Sequence, residues 1–405
     1  MTCPHAAAAG AVRTYPFGDR VDLGLDPAYA ALRTTEPVVR VRMPYGGEAW
    51  LLTRHADVKK ASADPRLSMH AGADRDVPRA APRALDSVGL MGMPPADHAR
   101  LRRLVSRAFT ARRVAELRPR IAEITHGLID GLVADGGPAD LVQRLALPLP
   151  TAVICEMLGI PHDDRHIFRA FTEALMSASR HTEEEVAAAA EEYADYLRGY
   201  VAKRRERPEN DLLSALIEAQ DEGEQLSGDE LLMLVGGMLI GGHETTAGQL
   251  AGQVALLLGG DRARWEELCA RPALVPSAVE ELLRIVPLWS SVGPSRVATE
   301  DVEIGGVTIR AGEAVVYSLA SANRDEDVFE NPDSLVLDRA ANPHLAFGQG
   351  PHFCLGAPLA RAELQCALEA LTTRLPALRL AVPQEDLAWH EGMLVRGLVE
   401  LPVTW

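Results

Sequence analysis

Aromatic residues are scarce. Only 5% of the 405 residues are Phe, Trp or Tyr, although 47% are hydrophobic. The apolar content therefore comes mainly from alanine and leucine, which favours helices and a core large enough for one big domain or two. Positive charge is not in excess either. Lys and Arg total 41 against 57 Asp and Glu, a net charge of -16. That balance suits a soluble chain and excludes a general binder of nucleic acid or anionic membrane. Cysteine is sparse and unpatterned. Cys3, Cys155, Cys269, Cys354 and Cys366 are odd in number and lack C-x-x-C spacing. This argues against a disulfide framework, a zinc site or a thiol-redox motif, and for a reducing compartment. Long hydrophobic runs are missing. The strongest, residues 231–242, is closed by His243 and Glu244 and is too short to span a bilayer. Residues 1–16 lack a basic-then-apolar signal pattern, and no solenoid repeat or low-complexity linker is visible. These absences predict a cytoplasmic protein without a membrane anchor.

What is present centres on residues 347–361, Phe347-Gly348-Gln349-Gly350-Pro351-His352-Phe353-Cys354-Leu355-Gly356-Ala357-Pro358-Leu359-Ala360-Arg361. The glycines before Cys354 permit a tight turn. Pro358 suits the first turn of a helix running to about residue 374. Cys354 is then either a small buried residue or a thiol at a helix N-terminus, where amides and the dipole lower its pKa and favour a metal-binding thiolate.

Further marks lie upstream. His98 and Arg102 are four apart on a predicted helix, and form either a solvated basic face or an anion clamp. Ser227 and Glu230 match a capping box, opening a helix of roughly 40 Å at ~1.5 Å per residue through residue 258. Its middle holds Gly236, Gly237, Gly241 and Gly242, each costing about 0.8–1 kcal/mol against Ala. They imply either close helix packing with a salt-bridged Glu244, or a gap for a small ligand beside Glu244 and Thr245. Thr245 is spaced to bond back to the Gly241 carbonyl and loosen the ladder. Glu281 and Arg284 can pair at i, i+3. Strands are expected at 37–42 and 49–53, at a hairpin around Gly305-Gly306, at 313–318 and over 394–404. Helices are expected at 55–63, 112–134, 147–158, 163–178, 184–206, 211–220, 261–270 and 275–285. Residues 66–96 read as a long loop and 1–25 as an irregular lead-in.

The run Phe-Gly-x-Gly-x-His-x-Cys-x-Gly resembles the haem-binding loop of the cytochromes P450. His98/Arg102, Glu244-Thr245 and Glu281/Arg284 occur in that family's order, and the likeness spans about residues 15–405. One departure stands out: Met93-Pro94-Pro95-Ala96-Asp97-His98 lacks the family's usual Asp before the prolines. The resemblance implies the P450 fold, mainly α with small β-sheets, as a single catalytic domain over 1–405. Its β-rich part would lie at 37–53 and 296–320, and its helical part at 97–285 and 357–375. It implies haem b with Cys354 as iron ligand and His98, Arg102, Arg296 and His352 at the propionates. Phe347, Gly348 and Gly356 would shape the loop, and Gly241 and Gly242 would clear space near the iron. Glu244 and Thr245 would deliver protons, and Glu281, Arg284 and Arg339 would form a structural salt bridge. Leu90, Met91, Leu175, Met238, Leu239, Ser290, Ser291, Val292, Met393 and Leu394 would line a substrate pocket.

The implied reaction is monooxygenation: one oxygen atom of O2 enters a C–H or double bond of a lipophilic small molecule. Shared phrasing at 101–105, 108–113 and 153–159 is similar to actinobacterial enzymes that tailor macrolides and polyketides. Terpene, steroid or xenobiotic hydroxylation, peroxygenase or isomerase chemistry, and a non-catalytic haem sensor are the alternatives. No flavin or iron–sulfur motif is present, so electrons are expected from NAD(P)H through a ferredoxin reductase and a ferredoxin. The ferredoxin would dock on Arg100, Arg103, Arg107, Arg112 and Arg113. A monomer is expected.

Overall fold

A computed structural model describes residues 12–18, 22–73, 75–82, 89–161, 164–177, 179–221 and 226–405. The chain opens with β1 (Arg13–Thr14), α1 (Ala28–Thr35), β2 (Val38–Arg42), β3 (Glu48–Leu52), α2 (His55–Ala63) and β4 (Leu67–Ser68). A mostly helical stretch follows: α3 (Pro95–Ser106), α4 (Ala111–Asp135), β5 (Ala139–Asp140), α5 (Pro148–Leu158), α6 (Arg165–Leu175), α7 (Glu183–Glu206), α8 (Leu212–Asp221), α9 (Gly228–Gly259), α10 (Arg262–Ala270) and α11 (Val275–Ile285). The remainder is β6 (Arg296–Ala298), β7 (Val302–Ile304), β8 (Val307–Ile309), β9 (Ala314–Tyr317), α12 (Leu319–Ala322), α13 (Ala357–Arg374), β10 (Arg379–Leu380) and β11 (Pro402–Thr404).

The architecture is mainly α with small sheets. The largest sheet runs β1-β2-β3-β9-β6-β4 and joins distant chain segments, with Trp50 in register with Val315 in parallel. Leu51, Leu52, Val315 and Val316 are almost fully buried there. Removing such side chains from water stabilises by roughly 1.5–3 kcal/mol each, which outweighs the weak propensity of strands two to five residues long.

Helix α9 is the spine of the other half. Ser227 Oγ accepts the Glu230 amide at 3.2 Å and Glu230 Oε2 accepts the Ser227 amide at 2.7 Å, completing the expected capping box. The helix is buried on nearly every side, as a helix apolar all round must be. It packs on α5, while α13 packs on α4. Despite its glycines it continues unbroken from 228 to 259, so the loosened ladder expected at Thr245 does not interrupt it.

Three expectations need correction. The lead-in is not wholly irregular: β1 pairs in parallel with β2, and Tyr15 is buried against Tyr29. The loop over 66–96 carries β4 and a 3-10 turn at His70–Gly72, and α3 starts at Pro95. Over the expected 394–404 stretch, strand structure is confined to β11, preceded by single bridges at Val395 and Leu398, with another at Met393. Residues 1–11 and 83–88, part of the expected lead-in and pocket loop, lie outside the described residues.

Candidate active site

The cysteine loop is shaped by two glycines. Gly348 has φ +72° and donates to the Leu345 carbonyl at 2.8 Å. Gly350 has φ +76°, and a Cβ there would stand 2.8 Å from the Ser62 carbonyl oxygen on α2. Only glycine fits at 350 without displacing backbone. The Cys354 amide donates to the Phe347 carbonyl at 2.9 Å and closes the turn, after which α13 begins with Pro358 in its first turn. Cys354 is exposed at the mouth of the loop, although the surrounding chain desolvates its sulfur. That burial pushes its thiol above the ordinary value, against the Gly356 and Ala357 amides and the Arg102 charge, which pull it down. The direction is opposite to the lowered pKa expected from the helix terminus. Desolvation and the amide dipoles oppose one another at this sulfur, and coordination to a metal would favour the thiolate.

Four basic side chains converge beside the loop. The His98 and His352 rings lie 4.3 Å apart. Arg102 donates from Nη2 to the Phe353 carbonyl. Arg296 is buried, donates from Nη1 to the Leu67 carbonyl at 3.1 Å and lies over Tyr317. Burial first, then the charges of His98, Arg296 and Arg102, pushes His352 down to about 3. His98 is lowered by burial and by Arg102. His98 Nε2 and Arg296 Nε are buried without a hydrogen-bond partner. Two guanidiniums packed beside rings whose protonation is suppressed, with buried nitrogens left unpartnered, are costly unless an anion joins them. The pattern fits the two carboxylates of a haem.

Helix α9 presents Gly241, which is exposed in mid-helix and has no atom within 4 Å of an added Cβ. The other glycines are occupied: Gly236 by the Tyr193 ring at 3.3 Å, Gly237 by Gly89 Cα at 3.4 Å and Gly242 by Ile154 at 3.5 Å. The expectation that both Gly241 and Gly242 clear space is corrected to Gly241 alone. At Gly242 an added Cβ would instead meet Ile154 of α5 at ordinary contact distance. Thr245 Oγ1 donates to the Gly241 carbonyl at 2.6 Å, as its spacing predicts. Glu244 lies 3.5 Å from His243 Nδ1.

Beneath the loop, Glu281 is fully buried. It accepts Arg284 Nε and Nη2 at 2.8 Å each, Arg339 Nε at 2.9 Å, the Val336 amide at 3.0 Å and Asn342 Nδ2 at 3.2 Å. Arg284 also donates to the carbonyls of Asn323, Pro332 and Ser334. The expected three-residue bridge is therefore a hub tying α11 to the 323–342 segment. Asn342 was missed because an amide in a loop has no spacing signal.

The pocket residues divide. Leu90 and Leu175 are half-buried against the large helical core, Met238 and Leu239 lie within it, and Met91 is half-buried. The Leu394 amide donates to the Met176 carbonyl at 2.9 Å and Ser179 to Gly392 at 3.1 Å, stitching the α6–α7 connection to the C-terminal loop. The Ser290 hydroxyl is buried without a partner. Val292 departs from expectation: it packs with Tyr15, Val41 and Leu51 in the sheet cluster. Ser291 faces the Tyr15 hydroxyl in the same region. A separate hollow of about 310 Å³ lies on the sheet, lined by Arg40, Trp50 and Glu313. Arg40 there already faces Glu48 and Glu313 at 3.6 and 3.5 Å, and none of the site residues above lines it. On the expected basic face, Arg100 is bound to Asp97 and Glu230, Arg112 and Arg113 share Glu116 while remaining exposed, and Arg103 is exposed as well.

The chain matches the family model for cytochrome P450 over residues 33–258 and 253–386. It is 53% identical to nocardicin C N-oxygenase of Nocardia uniformis subsp. tsuyamanensis, over 97% of this chain and 98% of that one. It is 49% identical to mycinamicin IV hydroxylase/epoxidase of Micromonospora griseorubida, with the same coverage. The crystal structure of HinD with NMFT and NO superposes with a TM-score of 0.94 at 46% identity, covering 98% of this chain and all of that one. The mixed-function P450 MycG gives 0.90 at 49%, over 97% of this chain and all of that one.

Proposed function

This chain belongs to the cytochrome P450 family and is a haem-dependent monooxygenase; from that premise we propose that Cys354 is the iron ligand and that the substrate is a lipophilic secondary metabolite of the macrolide or polyketide kind. Haem bound at this site brings the family's chemistry, reductive splitting of O2 with transfer of one oxygen atom to substrate.

The residues of this chain do the rest. Cys354 offers its sulfur at the mouth of the glycine turn. His98, Arg102, Arg296 and His352 would hold the propionate carboxylates, and the unpartnered Nε2 of His98 and Nε of Arg296 would gain partners there. Gly241 would leave room for a small ligand beside Thr245. Thr245 Oγ, now donating to the Gly241 carbonyl, can turn its proton toward the gap, and Glu244 replenishes protons from the His243 side. Apolar side chains of the pocket exclude water.

The single observation that carries this reading is the four-membered basic cluster with two unpartnered buried nitrogens beside an exposed cysteine. Cys354→Ser tests it: reduced, carbon monoxide-treated protein should lose its red-shifted absorption band, and retention of that band would sink the ligand assignment. Substrate class is read from ligand-induced shifts of the haem band across macrolides, terpenes and steroids. The relative named as an N-oxygenase favours a second reading, oxygen transfer to nitrogen, so amine-bearing compounds belong in the same screen. Electrons are assigned to a ferredoxin and its NAD(P)H-dependent reductase, in a cytoplasmic monomer; among the described residues no helix is long and apolar enough to cross a membrane.

A further inference from the structure

We propose that Glu280, Arg361 and His344 form a second ionic clamp, beside the Glu281 hub, that positions Phe347 and through it the cysteine loop; the inference rests on the haem-thiolate reading. Helix α11 carries two glutamates in succession, and ~100° of helix turn sends them to different partners. Glu281 enters the buried hub. Glu280 faces the first turns of α13, where Arg361 donates Nε to Oε1 and Nη2 to Oε2, both at 2.8 Å. Two parallel bonds fix the guanidinium plane as well as its position, which a lysine cannot do.

His344 completes the clamp. Its Nδ1 accepts the Ala346 amide at 3.2 Å, so its proton sits on Nε2, 3.1 Å from Glu280 Oε2. The Arg361 guanidinium in turn lies 4.5 Å from the centroid of the Phe347 ring. The Phe347 carbonyl accepts the Cys354 amide. Three chain segments, α11, the 344–347 approach and α13, are thereby locked around the residue that opens the cysteine turn. Desolvation opposes ionisation of Glu280, but the His344 and Arg361 hydrogen bonds outweigh it and hold the carboxyl down at about 2. Arg361 and Glu280 are each about 30% exposed, with side-chain values of 31% and 29%. A lone ion pair so placed would contribute little. The fork, the histidine and the stacked ring distinguish this one. Glu280 and Arg361 act on the site through Phe347 and are positioning residues.

The test follows guanidinium titration of haem-loaded protein by two signals, helical circular dichroism and the red-shifted band of the reduced carbon monoxide complex. A wild-type protein without that band overturns the haem-thiolate reading and this inference with it. A wild-type protein that shows the band leaves the clamp to the variants Glu280→Gln, Arg361→Gln and Arg361→Lys. Each should lose the band at lower denaturant than wild type while its helices persist. Where wild type still holds the band, the fraction retaining it should fall at least about threefold in the two Gln variants, the scale of one partly exposed cation–ring contact. Arg361→Lys, which keeps charge but not the fork, should fall between. The helix midpoint will drop as well, because an ion pair is lost; what decides is whether the gap between the two signals widens. Band and helix signals that shift together, or neither shifting, would make this an ordinary ion pair and overturn the proposal.

Discussion

At position 241 a single methyl group separates stability from function. Alanine is about 0.8–1 kcal/mol better than glycine inside a helix, and a Cβ on Gly241 meets nothing within 4 Å. Gly241→Ala should therefore raise the denaturation midpoint while lowering turnover, because the methyl enters the gap beside Thr245. Gly242→Ala adds its methyl at ordinary contact distance from Ile154. It should give a similar or smaller stability gain and leave turnover near wild type. Paired melting curves and steady-state rates check both, and equal losses of turnover would contradict the assignment of open space to Gly241 alone. The four glycines were legible in the sequence as a group, since each is a helix-breaking cost that needs a reason. Which of them faced a neighbour and which faced a gap was not, because Tyr193, Gly89 and Ile154 arrive from segments far away in the chain. Cys354 teaches the same lesson: its helix-terminal position was readable, but the burial that dominates its pKa was not.

Among the elements, α11 concentrates the most electrostatic organisation. Replacing Glu281 by Gln strands Arg284 and Arg339 in the core, a loss expected to cost on the order of 3–5 kcal/mol in chemical denaturation. Glu280 gives a pH signature instead. Its folded pKa is held at about 2, below the ordinary carboxylate value, so the unfolded chain binds the proton first. Its stabilisation is complete above pH ~4.5 and fades as pH falls toward ~2, by on the order of 2 kcal/mol after allowance for partial exposure. The stability difference between wild type and Glu280→Gln should accordingly shrink as pH falls from about 4.5 toward about 2, the window set by that shift; a constant difference there would show that the carboxyl is not ionised preferentially in the fold. Long helices such as α9, α11 and α13 were read from apolar spacing and caps nearly to their ends. β1, β4 and β5 were not, because a two-residue strand has no period and exists only through its partner. Arg361 was quoted with the cysteine loop, yet its link to Glu280 spans 81 residues and no local pattern announces it.

For the whole molecule, the informative quantity is where a chain of net charge -16 leaves positive charge uncovered. The N-terminal half of α4 and the end of α3 are rich in arginine, but the structure neutralises several of them. Glu230 reaches across from the start of α9 to Arg100, and Glu116 is shared by Arg112 and Arg113. Arg103 is exposed on the same helix as His98 and Arg102, the pair assigned to the propionates. An acidic ferredoxin approaching that helix would be drawn by a local field opposed to the overall one, which selects orientation as well as partner. Arg103→Glu should then slow reduction of the haem by an acidic ferredoxin roughly tenfold at low salt, with the deficit closing as added salt shortens the screening length to a few ångströms. Arg112→Glu should do less, because Glu116 already offsets part of that charge. Stopped-flow reduction at several ionic strengths checks both the order and the salt dependence. If Arg112→Glu proved the more damaging of the two, docking would centre on α4, and the proposed approach over the α3 end of the molecule would be wrong.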